Sequence, residues 1–252
     1  VMTWLETTFY YARAASAPGQ YDDSDSLRDR VSSTLKRLVD GGFVDQSGLE
    51  IEPTALGRLT SQFYLRLDTA EAFHALCKRA SSAETTPLDE AAILRTVANA
   101  GEFDSVSARR DERETFGAVL GGEGDDLDPG NRKVLAILRA GMSGTTPGEL
   151  QSDAWVIRRN GLRFLAALRA FCERFAAPRD ANLVRRIEAR VEHGISSEAV
   201  GLVAIGGVGA GRAQKLAREG LCDPADVRVA GVEGLVSAGL SEGVAERVLE
   251  QA

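Results

Sequence analysis

Apolar residues recur three or four positions apart through most of this chain, and turn-forming residues break that pattern into separate helices. Thr3 to Ala15 is predicted as a first helix, closed by Pro18-Gly19. Ser24 to Asp40 is a second, with Leu27, Val31, Leu35, Leu38 and Val39 at helical spacing and Gly41-Gly42 ending it. Phe43-Val44 and Leu49-Glu50-Ile51 break the period and are predicted as short strands around Gln46-Ser47-Gly48. Pro53-Thr54 then opens another helix.

Further helices follow. Thr69 to Ala80 is one; a capping box at Thr86-Pro87-Leu88-Asp89, with proline at the first helical position, starts the next, which carries Ile93, Leu94 and Val97. Gly121 to Asp126 is a polar loop, and Asp128-Pro129 caps a helix bearing Val134, Ile137 and Leu138. Thr146-Pro147-Gly148-Glu149 is a second predicted capping box, ahead of a long helix from about Ser152 to Phe175. Pro178 stops the turn that follows, and Ala181 to His193 is a helix with Gly194 as its terminating residue. Beyond Ile195 glycine and small residues increase. The predicted fold is therefore mainly α, in three parts: a winged helix over 1–68, a helical bundle over 69–194, and a helix-hairpin-helix domain over 195–252.

The long helix resolves by face. At 100° per residue Ile157, Phe164, Leu165, Leu168, Phe171, Cys172 and Phe175 share one arc. Arg158, Arg159, Arg163, Arg169 and Arg174 fall opposite, with Trp155 among them. Guanidinium groups bind phosphates bidentately and stack on bases, and an indole offers a flat surface to an unstacked base. Trp155, Arg158, Arg159 and Arg163 are thus candidate nucleic-acid contacts. A solvated charged face, with Trp155 packed on a neighbouring domain, is the competing reading.

Leu202 to Ala213 contains Ile205-Gly206-Gly207-Val208-Gly209. As a phosphate-binding loop it fails, because Arg212 stands where a lysine is needed and Ala213 where a magnesium-binding hydroxyl is needed. As a helix-hairpin-helix it fits: Leu202 and Ile205 end one helix, Gly207-Val208-Gly209 turn, and Ala213 and Leu216 begin the next apolar face. Glycines admit a phosphate closely, and a helix N-terminus points free N–H groups at it. Gly207, Val208, Gly209, Arg212 and Lys215 are the candidate backbone contacts; a glycine turn used only for helix packing is the competing reading. Ala238-Gly239-Leu240-Ser241, followed by Val244 to Leu249, is a degenerate second copy.

The net charge of −7 argues against nucleic acid taken alone, but the charge is unevenly spread. Glu84 to Asp128 holds twelve acids and four arginines, a net of −8, whereas Trp155 to Glu192 holds nine arginines and four acids, a net of +5. Cys77, Cys172 and Cys222 lie far apart without metal-ligand spacing, and His74 and His193 have no triad-like neighbours. No catalytic residue and no metal site is expected. No apolar run reaches the roughly 20 residues of a membrane span, so a cytoplasmic protein is expected. The start at Val1, in mid-pattern and without a signal peptide, reads as a fragment of a longer chain.

The order of parts resembles the C-terminal half of archaeal Ski-like superfamily-two DNA helicases, relatives of the helicase of polymerase theta. Thr54-Ala55-Leu56-Gly57-Arg58-Leu59-Thr60-Ser61-Gln62-Phe63-Tyr64 resembles the family's T-x-L-G-R-x-x-S-x-x-Y segment. Pro147-Gly148-Glu149-Leu150 resembles the P-G-D-L ahead of its ratchet helix, and Arg186 to Gly194 resembles its R-I-x-x-R-V-x-x-G. The chain departs from the family in two places. The family's ratchet tryptophan usually sits further along, where this chain has Leu162, Arg163 and Phe164. The arginine-rich run after the hairpin is reduced to Arg212 and Lys215.

The resemblance implies an ATP-dependent 3′–5′ helicase acting in repair or replication. Its two RecA-like motor domains lie outside these residues and would use ATP and magnesium; this chain itself would hold no cofactor and hydrolyse no nucleotide. It would work as a monomer on single-stranded or forked DNA, away from membranes. Two alternatives come from other classes. One is a stand-alone winged-helix regulator, which needs a basic recognition helix; Ser24 to Asp40 is barely basic. The other is a protein-interaction scaffold docking through the acidic Glu84–Asp128 segment.

Overall fold

A computed structural model describes residues 2–17, 24–48, 50–81 and 88–252, which divide into two compact units, Val1–Gln62 and Phe63–Ala252. The protein is mainly helical, as the apolar spacing predicts.

In the first unit the stretch Thr3 to Ala15 is two helices, α1 (Met2–Leu5) and α2 (Phe9–Ser16), not one. The break lies at Thr7-Thr8, whose hydroxyls donate to the Trp4 and Leu5 carbonyls; Thr8 Oγ1 also accepts from Tyr11 N–H and caps α2. Short hydroxyl side chains compete for backbone partners in this way and favour caps over helix interiors. Pro18-Gly19 lies outside the described residues. Helix α3 (Ser24–Asp40) follows, then the antiparallel pair β1 (Val44–Ser47) and β2 (Glu50–Pro53), then α4 (Ala55–Gln62). Thr54 Oγ1 donates to the Gly42 carbonyl and accepts from Gly57 N–H, tying the hairpin to the start of α4. Phe43 and Leu56 are buried in this unit.

The second unit is built on α9 (Gln151–Phe175), which packs against α10 (Pro178–His193), α8 (Pro129–Ser143), α5 (Leu67–Ser81) and α6 (Glu90–Ala98); α7 (Glu112–Leu120) lies on α8. The buried face of α9 is the predicted apolar arc, Ile157, Phe164, Leu165, Leu168, Phe171 and Cys172, with Phe175 half-buried. Phe171 meets Phe73 edge-on with centroids 5.8 Å apart, and Phe164 meets Phe103 at 5.2 Å.

Three expected boundaries move. The side chain capping α6 is that of Asp89, accepting from Ala92 N–H, whereas Thr86 and Pro87 lie outside the described residues. The expected box at Thr146 does not form: Pro147 begins a short 3-10 turn, Gly148–Leu150, with no side-chain cap, and α9 runs on directly. Pro178 opens α10 rather than stopping a turn, because proline's missing N–H costs nothing at the first helical position.

Helices α8 and α10 end on glycines that face each other. Gly144 (φ 73°) and Gly194 (φ 64°) are both left-handed. A Cβ on Gly194 would stand 2.6 Å from the Gly144 Cα. Gly194→Ala therefore meets both backbone strain and a backbone clash. We expect a loss of about 1–3 kcal/mol, read as a lower urea midpoint with an unchanged slope.

Residues from Ile195 onward form their own apolar cluster, including Ile195, Leu202, Ile205, Val208, Leu216, Leu235 and Val248. Residues 195–208 are successive turns, with Leu202, Ile205 and Val208 each donating to the carbonyl three residues back, so the first expected helix of the hairpin motif is not a regular α-helix. Then come α11 (Ala210–Arg218), α12 (Pro224–Ser237, broken at Gly231) and α13 (Glu242–Gln251).

Candidate nucleic-acid interface

The outer face of α9 carries the residues that the pattern singled out, in unequal states. Trp155 is 68% exposed, and the Arg159 guanidinium lies over its ring, 5.3 Å from the centroid. Both line a groove of about 620 Å³ with Thr146, Gln151, Ala154, Arg158 and Leu162. Arg158 leans to one wall, where its Nη2 donates to the Glu192 carbonyl in the last turn of α10 at 2.8 Å. That bond satisfies a helix-terminal carbonyl and leaves the positive charge at the groove. Arg159 makes no ion pair or hydrogen bond among the described residues, so its donors are open to a ligand.

Arg163 and Arg169 on this face are committed to the fold. Arg163 Nη1 donates to the Phe63 carbonyl at 2.8 Å, and its guanidinium sits over the Phe164 ring at 4.2 Å. Arg169 is raised above its ordinary pKa, chiefly by its bond to Glu188 and further by Glu173. Arg174 lies 5.7 Å from the Phe175 ring. Arg174 is exposed at the far end of α9, so the part of the stripe that combines open arginine with an exposed indole is its N-terminal end, around Trp155, Arg158 and Arg159.

A buried charge cluster fixes that end of the helix. Lys133, on the otherwise apolar face of α8, is 1% exposed and donates to Glu112 (side chain 0% exposed) at 2.8 Å and to Asp153 in the first turn of α9. Glu112 also takes Arg109 Nη2 at 2.9 Å. Burial pulls the Lys133 ammonium toward neutrality, but Asp153 and Glu112 more than offset this and raise its pKa. The bond from Lys133 holds Asp153 below the usual carboxylate range. Sequence reading missed this cluster; its signal is the lone Lys133 beside Val134, Ile137 and Leu138. A second missed junction is Glu90, which bridges Arg139 and Arg190 and so joins α6, α8 and α10.

The glycine hairpin forms the other candidate surface. Gly207 is left-handed (φ 83°) and Gly209 caps α11 in an extended conformation. The Val208 side chain is buried, so its part is packing and only backbone is offered there. Arg212 is exposed and donates to the Gly207 carbonyl at 2.6 Å, bracing the turn; Lys215 is exposed. The same arrangement recurs thirty-two residues later. Gly239 is left-handed (φ 90°), Leu240 is buried, Ser241 takes the cap position, and Ala245 and Val248 take the buried places of Ala213 and Leu216.

Much of the acidic Glu84–Asp128 segment is already paired: Asp104 with Arg66, Glu112 with Lys133, Glu123 with Arg139, and Asp126 with Arg95. Among the described residues no group of histidine, cysteine and acids is arranged to hold a metal, and no helix is long and apolar enough to cross a membrane.

A model of the Sec63 Brl domain matches residues 53–216, well over half of the chain. The chain belongs to the Sec63 Brl domain family. Among curated relatives, the ATP-dependent DNA helicase Hel308 of Pyrobaculum calidifontis is 30% identical over 245 residues, covering 90% of this chain and 33% of the relative. Hel308 of Thermoplasma acidophilum is 24% identical over 275 residues, covering all of this chain and 36% of its own length. The probable ATP-dependent DNA helicase HFM1 of Xenopus tropicalis is 26% identical over 128 residues, 47% of this chain and 9% of the relative. The chain therefore spans about a third of the two Hel308 proteins. These relatives agree with the resemblance drawn from the motifs at Thr54, Pro147 and Arg186, to the C-terminal part of Ski-like superfamily-two DNA helicases.

Proposed function

We propose that this chain is the strand-gripping C-terminal portion of an ATP-dependent 3′–5′ DNA helicase acting in repair or replication. The observation that carries the proposal is the Trp155–Arg159 pair: an exposed indole under a guanidinium without ionic partner, at the mouth of a groove, on a helix whose opposite face is core. A base stacks on the ring while arginines neutralise the flanking phosphates. Here α9 is the ratchet helix of a bundle over 69–194. The α3–β1–β2–α4 arrangement within 1–68 is a winged helix, and 195–252 is a helix-hairpin-helix pair with its own core. The protein works as a cytoplasmic monomer on single-stranded or forked DNA.

ATP and magnesium belong to motor domains beyond these residues. The Gly206–Ala213 segment does not fit a triphosphate: Arg212 is turned back onto the Gly207 carbonyl, and Ala213 is buried and lacks a hydroxyl.

For the hairpin, Gly209→Val is the informative variant. A Cβ at Gly209 meets nothing within 4 Å, and its φ of −79° suits any residue, so the fold tolerates the change. The added bulk stands where a phosphate would approach the N-terminus of α11. We expect weaker DNA binding for all sequences alike with an unchanged melting temperature, measured by fluorescence anisotropy on two unrelated oligonucleotides. Gly207→Val also weakens binding but strains the turn, since valine is costly at φ 83°.

A further inference from the structure

Tyr64 is the one non-glycine residue with positive φ among the described residues (φ 52°), and it is 87% exposed. A tyrosine is held in the left-handed region only where its surroundings over-determine the backbone, and here they do. On one side the Phe63 carbonyl accepts from Arg163 Nη1 at 2.8 Å. On the other, Leu65 is buried, and Arg66 is fixed through its backbone N–H to Glu102 (2.8 Å) and through Nη1 to the Gly101 carbonyl (2.6 Å) and Asp104 (2.7 Å). The mount is rigid and the ring projects from it. Among the described residues the Tyr64 hydroxyl makes no hydrogen bond, and the fold gains nothing visible from the ring.

Its position gives the ring a use. Trp155, Arg159 and Arg163 follow one another at four-residue intervals, a stripe of about 12 Å along α9 at 1.5 Å per residue. Arg163, at the far end of that stripe, is the residue that grips the peptide next to Tyr64. Trp155 and Tyr64, the exposed aromatic rings among the described residues of the second unit, therefore flank the Arg159–Arg163 stretch of α9, in which Arg159 is open and Arg163 adds charge from its place in the fold. We propose that Tyr64 is a second stacking platform, taking an unstacked base of the same single strand that lies on α9. This rests on the reading of α9 as a single-strand track. Arg163 is then a positioning residue: it orients the Tyr64 mount and supplies positive charge beside it.

The test uses the whole chain and oligo-dT carrying single 2-aminopurines, with affinity, salt dependence, 2-aminopurine fluorescence and melting temperature measured on each variant. Tyr64→Ala is expected to weaken binding roughly 5- to 150-fold, the effect of one stacked base, with no change in salt slope. It should also remove the fluorescence change at one oligonucleotide position, distinct from the position that Trp155→Ala affects. Tyr64→Phe should bind normally, because stacking needs the ring and not the hydroxyl. Tyr64→Gly should bind as poorly as Tyr64→Ala yet melt higher than wild type, since glycine relieves the backbone. If Trp155→Ala weakens binding and Tyr64→Ala does not, the platform is wrong and the track stands. If neither does, the track fails and the platform with it. A fall in binding that only mirrors a fall in melting temperature would make Tyr64 structural and overturn the proposal.

Discussion

Lys133→Met is expected to destabilise the second unit by about 3–5 kcal/mol, the cost of leaving a buried charge without its partner. Methionine fills the same space, so the loss is electrostatic and not a cavity. Glu112, with a side chain that is 0% exposed, keeps only the half-exposed Arg109, and Asp153 loses the ammonium that anchors the first turn of α9. Converting Glu112→Gln in the same chain should recover part of the loss, because no buried carboxylate then remains. The signs of the pKa changes set the pH window. The raised Lys133 contributes stability that is fully present below its unfolded pKa, about 10.4, and lost as pH rises through its folded value. The depressed Asp153 contributes stability that is present above about 3.9 and lost as pH falls through its folded value. The gap between wild type and Lys133→Met should therefore be widest between about pH 4 and 10 and narrow on acidification. Urea unfolding across that range and on the acid side of it measures the narrowing.

Trp155→Ala is expected to lower single-strand affinity by about 1–3 kcal/mol while leaving the melting temperature in place. The indole is 68% exposed, so its removal opens no cavity, and its loss shows in binding rather than folding. Arg163→Ala should behave differently, lowering melting temperature as well as affinity. The helical wheel alone places Arg163 with Arg159 as an exposed cation whose removal is harmless to the fold. The structure makes it half-buried, bonded to the Phe63 carbonyl and lying over Phe164. Its replacement strands that carbonyl and strips a ring contact, so melting temperature falls together with affinity. Comparing the two variants separates a residue that touches the strand from one that also holds the scaffold.

The contrast shows what the sequence carried. Periodicity places α3, α5, α8, α9 and α10 but not α7 or α12, and the buried face of α9 follows from residues 157 to 172 because a 3.6-residue period fixes which side chains share an arc. The glycine hairpin was legible for a related reason: Gly207 and Gly239 occupy backbone conformations that few other residues accept. What the pattern could not reveal is pairing across the chain. Arg158, Arg163 and Arg169 look alike on a wheel, yet each is engaged by a group 19 to 100 residues away. The Lys133 cluster joins residues from α7, α8 and α9 in the same way, and the strain at Tyr64 arises from anchors at Gly101, Glu102 and Asp104. The first helix broke at Thr7-Thr8, where hydroxyl side chains compete for backbone partners.

Whether the Trp155–Arg159 end of α9 holds a single strand by its backbone is decided by the salt dependence of oligo-dT affinity in wild type and Arg159→Ala. Each phosphate contact adds about 0.7 to the slope of log affinity against log salt for a single strand. Arg159 makes no ion pair or hydrogen bond among the described residues, so its removal should leave the melting temperature unchanged and make the slope shallower by about 0.7. A slope identical to that of wild type, with the variant fully folded, would mean that Arg159 meets no phosphate and that α9 does not grip the strand there.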